Sequence, residues 1–149
     1  MAQLSRNVFK AILICFFLLS GINGCKDDYT SIIPNVTVNF NVNTASYIEL
    51  NVPGGSVVFP NVGYGGVIVF RDLTDNSSNP FLAFDATCTK EVSSTVKVVA
   101  DESGIATCPK CGSQFILFGG NGSPIKGPAT EPLKQYRTTY SGGLINVRN

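Results

Sequence analysis

Cys108-Pro109-Lys110-Cys111-Gly112-Ser113-Gln114-Phe115-Ile116 decides how this chain is read, together with Cys88-Thr89-Lys90, which ends 17 residues before it. Gly112-Ser113 is turn chemistry, and Gln114-Phe115-Ile116 reads as the start of a strand, so the Cys-x-x-Cys pair sits in a loop that feeds a strand. Such a loop lets two thiolates reach one tetrahedral ion, as in a zinc-ribbon knuckle. A ribbon needs a second pair, and here Cys88 stands alone, so Asp85 or water would have to finish the site. As a thiol-disulfide redox motif the stretch lacks the helix N-terminus that lowers the first thiol's pKa. A disulfide from Cys88 to Cys108 or Cys111 is a further alternative. It would close a loop of about 20 residues, give ~3 kcal/mol on the chain-entropy model, and leave one thiol over.

Working outward, apolar and β-branched runs alternate with turn residues along the rest of the chain. Strands are predicted at Val36 to Val42, Tyr47 to Val52, Val67 to Arg71, Phe81 to Asp85, Thr95 to Val99, Gln114 to Phe118, Tyr136 to Tyr140 and Leu144 to Val147. Turns fall at Pro53-Gly54-Gly55, Gly63-Tyr64-Gly65-Gly66, Asp75 to Pro80, Asp101 to Gly104, Gly119 to Pro124 and Ser141-Gly142-Gly143. The glycine run at 63–66 has no following helix or lysine, so it is a β connection and not a phosphate loop. Charged residues are only 14% of the sequence, while there are 15 glycines and 8 prolines. The fold class is therefore all-β, an antiparallel sandwich or partly closed barrel with no helix.

The order of landmarks extends past the cysteines to Gly119-Gly120, Gly127-Pro128-Ala129, Leu133, and Gly143-Leu144-Ile145-Asn146-Val147 at the end. Over residues 47 to 147 this order resembles the Rieske iron-sulfur family. That family has a Cys-x-His loop and a Cys-Pro-x-His-Gly-Ser-x-Phe loop, then a Gly-Pro-Ala segment and a leucine before the last strands. The resemblance implies a three-sheet antiparallel fold, with loops 85–90 and 107–115 forming one end of a small cluster-binding subdomain. It also implies that Cys88 and Cys108 match the thiolate ligands of a 2Fe-2S cluster. Lys90 and Cys111 stand where the family places its two histidines. The chain has no histidine at all. Cys111 is able to bind the outer iron as a thiolate, whereas Lys90 must first lose a proton that it holds near neutral pH. Two functions follow: a binding or structural module whose metal site has decayed, or an electron-transfer protein carrying an altered 2Fe-2S cluster. Without histidine no Ser-His-Asp triad can form, and no second active site is visible; the chain is at most an electron-transfer component and not an enzyme of its own.

The N-terminus supplies the location. Arg6 and Lys10 precede the apolar run Ala11 to Leu19, and small or turn-prone residues lead to Cys25, which is the order of a secretory signal. The run is shorter than the ~20 residues that span a bilayer. Leu18-Leu19-Ser20-Gly21-Ile22-Asn23-Gly24-Cys25 resembles the bacterial lipobox. The resemblance makes residues 1–24 a lipoprotein signal peptide and Cys25 the lipid-bearing N-terminus. Residues 25–34 would be the lipidated cysteine and tether, and 35–149 the β domain. Lys26-Asp27-Asp28 resembles the sorting signal of some outer-membrane lipoproteins, which implies a bacterial outer-membrane anchor on the periplasmic side or the cell surface. Removing 24 residues takes away two of the 11 basic residues and none of the 10 acidic ones, so the mature chain is almost neutral. This balance argues against nucleic acid; the membrane is met through the lipid, and any further partner would be a redox or envelope protein. Cys15 leaves with the signal and Cys25 is acylated. Three thiols remain, an odd number for an oxidising compartment.

Overall fold

The structure is a computed structural model that describes residues 31–149; the expected signal peptide and Cys25 lie outside the described residues. Among the described residues there are ten strands: β1 (Asn39–Asn43), β2 (Ser56–Phe59), β3 (Val67–Arg71), β4 (Phe81–Asp85), β5 (Val99–Ala100), β6 (Ile105–Thr107), β7 (Gln114–Ile116), β8 (Pro124–Lys126), β9 (Gln135–Ser141) and β10 (Leu144–Arg148). They form a six-stranded sheet in the order β1-β10-β9-β4-β3-β2 and a four-stranded sheet in the order β5-β6-β7-β8. Every pairing is antiparallel. The expected three sheets take this form because the larger sheet has two halves, whose strands pair at Ala83 opposite Tyr136 and Phe84 opposite Gln135. Among the described residues no helix is long and apolar enough to cross a membrane.

The central β3–β4 hairpin explains how the two sheets share a core. Val67-Ile68-Val69-Phe70 is buried throughout, and because side chains alternate across a strand, a continuous apolar run means burial on both faces. Val67 and Val69 pack with Phe81, Ala83, Tyr136, Ile145 and Val147 on one side. Ile68 and Phe70 pack with Phe84, Phe115, Leu117 and Leu133 on the other. Cys88 and Cys108 belong to this second cluster. The smaller sheet therefore covers one face of the hairpin, and the candidate thiols lie within the same apolar layer.

Several expected strands are corrected. Tyr47 to Val52 holds the 3-10 turn Ile48–Asn51; it follows a second one, Thr44–Ser46, which is started by the Asn43 side chain accepting from the Ala45 N–H at 3.0 Å. Its apolar residues do not share one face: Leu50 is buried while Ile48 is 77% exposed. The strand of that region is β2, beyond the Pro53-Gly54-Gly55 turn. Thr95 to Val99 makes only a single bridge, Lys97 opposite Thr87, before β5 begins at its last residue. Strands β6 and β8 had no separate sequence signal, being three residues each. The domain also starts earlier than the expected tether end, since Ile33 is only 2% exposed and the Pro34 carbonyl accepts from Lys134 Nζ at 3.2 Å.

Candidate metal centre

Two loops carry the thiols. The first leaves β4: Cys88 donates its N–H to the Val96 carbonyl at 3.1 Å, and the Cys88 carbonyl accepts from Glu91 and Val92 at 3.2 and 2.9 Å, folding the chain into a tight turn. The second leaves β6: Cys108 N–H donates to the Ser113 carbonyl at 2.8 Å and Gly112 N–H donates back to the Cys108 carbonyl at 3.0 Å. The loops are bound together at the rim by Lys110 Nζ and the Glu91 carboxylate, 2.6 Å apart. A third segment braces them. Thr89 Oγ1 donates to the Glu131 carbonyl at 2.7 Å, and Ala129 N–H donates to Ser113 Oγ at 3.0 Å. Gly127 stands at φ +90, where a Cβ would come within 2.6 Å of Ser113 Cα. Only glycine allows this segment to lie so close to the second loop.

The result is three sulfurs in one place. Cys88, Cys108 and Cys111 Sγ all lie within 4.8 Å of one another. Cys88 and Cys111 are 3.6 Å apart, and none of the three is in a disulfide. Cys88 and Cys108 are 0% exposed, whereas Cys111 is partly open to solvent. Burial, followed by the neighbouring Cys108 thiol, pushes the Cys88 thiol up to about 12. Burial also opposes ionisation of Cys111, but hydrogen bonds from Ser113 and the other two thiols outweigh it and lower its pKa. Cys111 Sγ is 3.1 Å from Ser113 Oγ. Of Cys88 and Cys111, the partly exposed Cys111 is therefore the more readily ionised.

The two other sequence candidates differ from the buried sulfurs in exposure or in bonding. Lys90 is exposed on the turn after Cys88. Asp85, the expected completing ligand for zinc, is 0% exposed but fully engaged elsewhere. Its carboxylate accepts from Tyr64 N–H at 2.9 Å, Gly65 N–H at 3.1 Å, Thr87 N–H at 2.9 Å, Thr87 Oγ1 at 2.6 Å and Tyr136 Oη at 2.8 Å. Gly65 is required for this knot, because a Cβ there would meet Thr87 Oγ1 at 2.2 Å. The glycine connection at 63–66 is thus a pinned turn. Sequence reasoning missed Thr87 and Tyr136 as its partners; Asp85-Ala86-Thr87 carries an Asx-turn signal, but Tyr136 is 51 residues away.

This geometry defines the class: the chain is an all-β domain of Rieske-like fold with a three-thiol site at the loop end. No protein-family model matches the chain, and no curated protein matches it. Solved structures do. The cyanobacterial plasma membrane Rieske protein PetC3 from Synechocystis PCC 6803 aligns over 77% of this chain and 100% of its own, at 25% identity and TM-score 0.53. A chain from the complex of reduced oxygenase and oxidized ferredoxin in carbazole 1,9a-dioxygenase aligns over 72% and 99%, at 25% identity and TM-score 0.51. The ferredoxin of carbazole 1,9a-dioxygenase from Nocardioides aromaticivorans IC177 shares the fold at 22% identity and TM-score 0.50, over 76% of this chain and 97% of its own.

The fold thus implies a cluster that the donor set does not fit. A Rieske centre uses two thiolates on one iron and two imidazoles on the other. This chain supplies no imidazole, and of the two residues at those positions Lys90 is out in solvent. Cys111 alone cannot complete the outer iron.

Proposed function

We propose that the protein is a lipid-anchored cell-envelope module in which a Rieske-like domain has kept its fold and loop architecture but lost the two-iron centre, and acts through binding. The observation that carries this reading is the joint replacement of both imidazole positions, with Lys90 exposed and Cys111 drawn in among the two buried thiols. Location rests on the signal anatomy and Cys25. Two or more acyl chains, each buried methylene contributing ~0.8 kcal/mol, hold such a domain at an outer-membrane surface. A second reading, an electron carrier with an altered cluster, is favoured by the ferredoxin and Rieske neighbours and by the absence of a disulfide among Cys88, Cys108 and Cys111.

Anaerobic reconstitution with iron and sulfide, followed by visible and paramagnetic spectra, separates the two. The module reading expects no stoichiometric cluster; two irons and two sulfides per chain, lost in Cys108→Ser, would establish the carrier instead. Anchoring is tested by labelling cells with a palmitate analogue. Label should appear on the wild type and vanish from Cys25→Ser, and an unlabelled wild type would sink the lipoprotein assignment.

A further inference from the structure

Three thiols that cannot complete a two-iron cluster are well placed for a single ion. Thiolates on one tetrahedral centre with metal–sulfur bonds of about 2.3 Å stand about 3.8 Å apart. Cys88 and Cys111 are already 3.6 Å apart, and Cys108 lies within 4.8 Å of both. Thiolates on opposite irons of a 2Fe-2S unit are instead held apart by the whole iron–sulfide rhomb. The short separation from Cys88 to Cys111 therefore suits one ion and not two.

The surroundings support the same assignment. Ser113 Oγ lies beside Cys111 Sγ and is itself held by the Ala129 N–H, the kind of outer partner that fixes a ligand's direction. The Cys108–Gly112 hydrogen bond shapes the Cys-x-x-Cys turn as a knuckle. Asp85 is committed to its own knot, so its carboxylate does not close the set. Only Cys111 reaches solvent, which puts the remaining coordination position on the open side.

The geometry points to a mononuclear site at Cys88, Cys108 and Cys111 for one thiophilic divalent ion of the zinc class, its fourth position open to water. This rests on the reading above that the two-iron centre is lost. Binding forms three metal–sulfur bonds, and the thiol protons pass to solvent.

The full chain, purified in detergent and reduced under anaerobic conditions, is titrated with Co2+ and then with Zn2+. One Co2+ per chain should bind with the intense visible absorption of a tetrahedral thiolate centre, and Zn2+ should displace it. Cys111→Ser, a conservative change at the partly exposed ligand, should lose that spectrum while its thermal melt without metal stays close to wild type. Lys90→Ala should keep the spectrum unchanged. Failure to bind either ion, with all three thiols titratable, overturns the inference and leaves the module reading standing. Loss of binding in Lys90→Ala also overturns it. Two irons and two sulfides bound to the same preparation would overturn both.

Discussion

Asp85 ends β4 and Cys88 stands three residues on, in the loop that follows; both are equally cut off from solvent, yet their surroundings differ in kind. Five hydrogen bonds from three segments converge on the Asp85 carboxylate. The Cys88 sulfur has two other thiols as its side-chain neighbours, and a thiol is a weak donor and a weak acceptor. A buried polar group that is fully satisfied is a structural joint. A sulfur grouped with two others, held by the backbone N–H groups of Glu91 and Lys90, is instead a ligand for a metal once its proton leaves. The comparison assigns structure to the Asp85 knot and ligand binding to the sulfurs, and each half is open to attack.

The largest effect is expected at the knot. Asp85→Ala removes the common acceptor and strands buried N–H and O–H donors, each costing about 1–3 kcal/mol. Urea denaturation should show a loss of at least about 3 kcal/mol, seen as a lower midpoint with little change in slope. A loss below about 1 kcal/mol would mean that water replaces the carboxylate, and the knot would no longer be structural. The sulfurs should behave in the opposite way. Cys108→Ala should be tolerated in the metal-free protein far better than Asp85→Ala. Its cost should appear as lost ligand linkage: Zn2+ at a hundred times its dissociation constant stabilises the wild type by about 2.7 kcal/mol and the variant not at all. Equal stabilisation of both proteins in a calorimetric scan would break the distinction.

The same contrast explains how much could be read in the sequence. The all-β class, β3, β4, β9 and β10 were legible because their apolar runs are long enough to carry a pattern. Tyr47 to Val52 has strand composition but closes into a 3-10 turn through backbone bonds from Leu50 to Tyr47 and from Val52 to Glu49, and β6 and β8 are too short to show any period. At the site, the three cysteines were legible as a group because the order of landmarks around them is specific. The exposure of Lys90 was not, since it depends on the turn that Glu91 and Val92 make with the Cys88 carbonyl. Nor was the occupation of Asp85: its donors come from Tyr64, Thr87 and Tyr136, which only the closed sheet brings together.

The smallest expected effect sharpens the structural half. Tyr136→Phe removes one of the five donors to Asp85 and should cost about 1 kcal/mol at neutral pH, because four hydrogen bonds remain. Its signature lies in alkali. Burial, then the charge of Asp85, holds the Tyr136 phenol well above the ordinary value of 10.0. Above pH 10 the unfolded chain has therefore lost a proton that the folded chain still holds. The contribution is complete below pH 10 and declines as pH rises towards the folded value. Cys88 adds a limb of the same sign beginning near 9.0, since its thiol stays protonated up to about 12 in the folded state. Stability of the metal-free wild type should thus fall between pH 9 and 11, and Tyr136→Phe should flatten only the part above pH 10. An unchanged alkaline limb would show that the phenol titrates freely, and that the bond to Asp85 is not holding its proton.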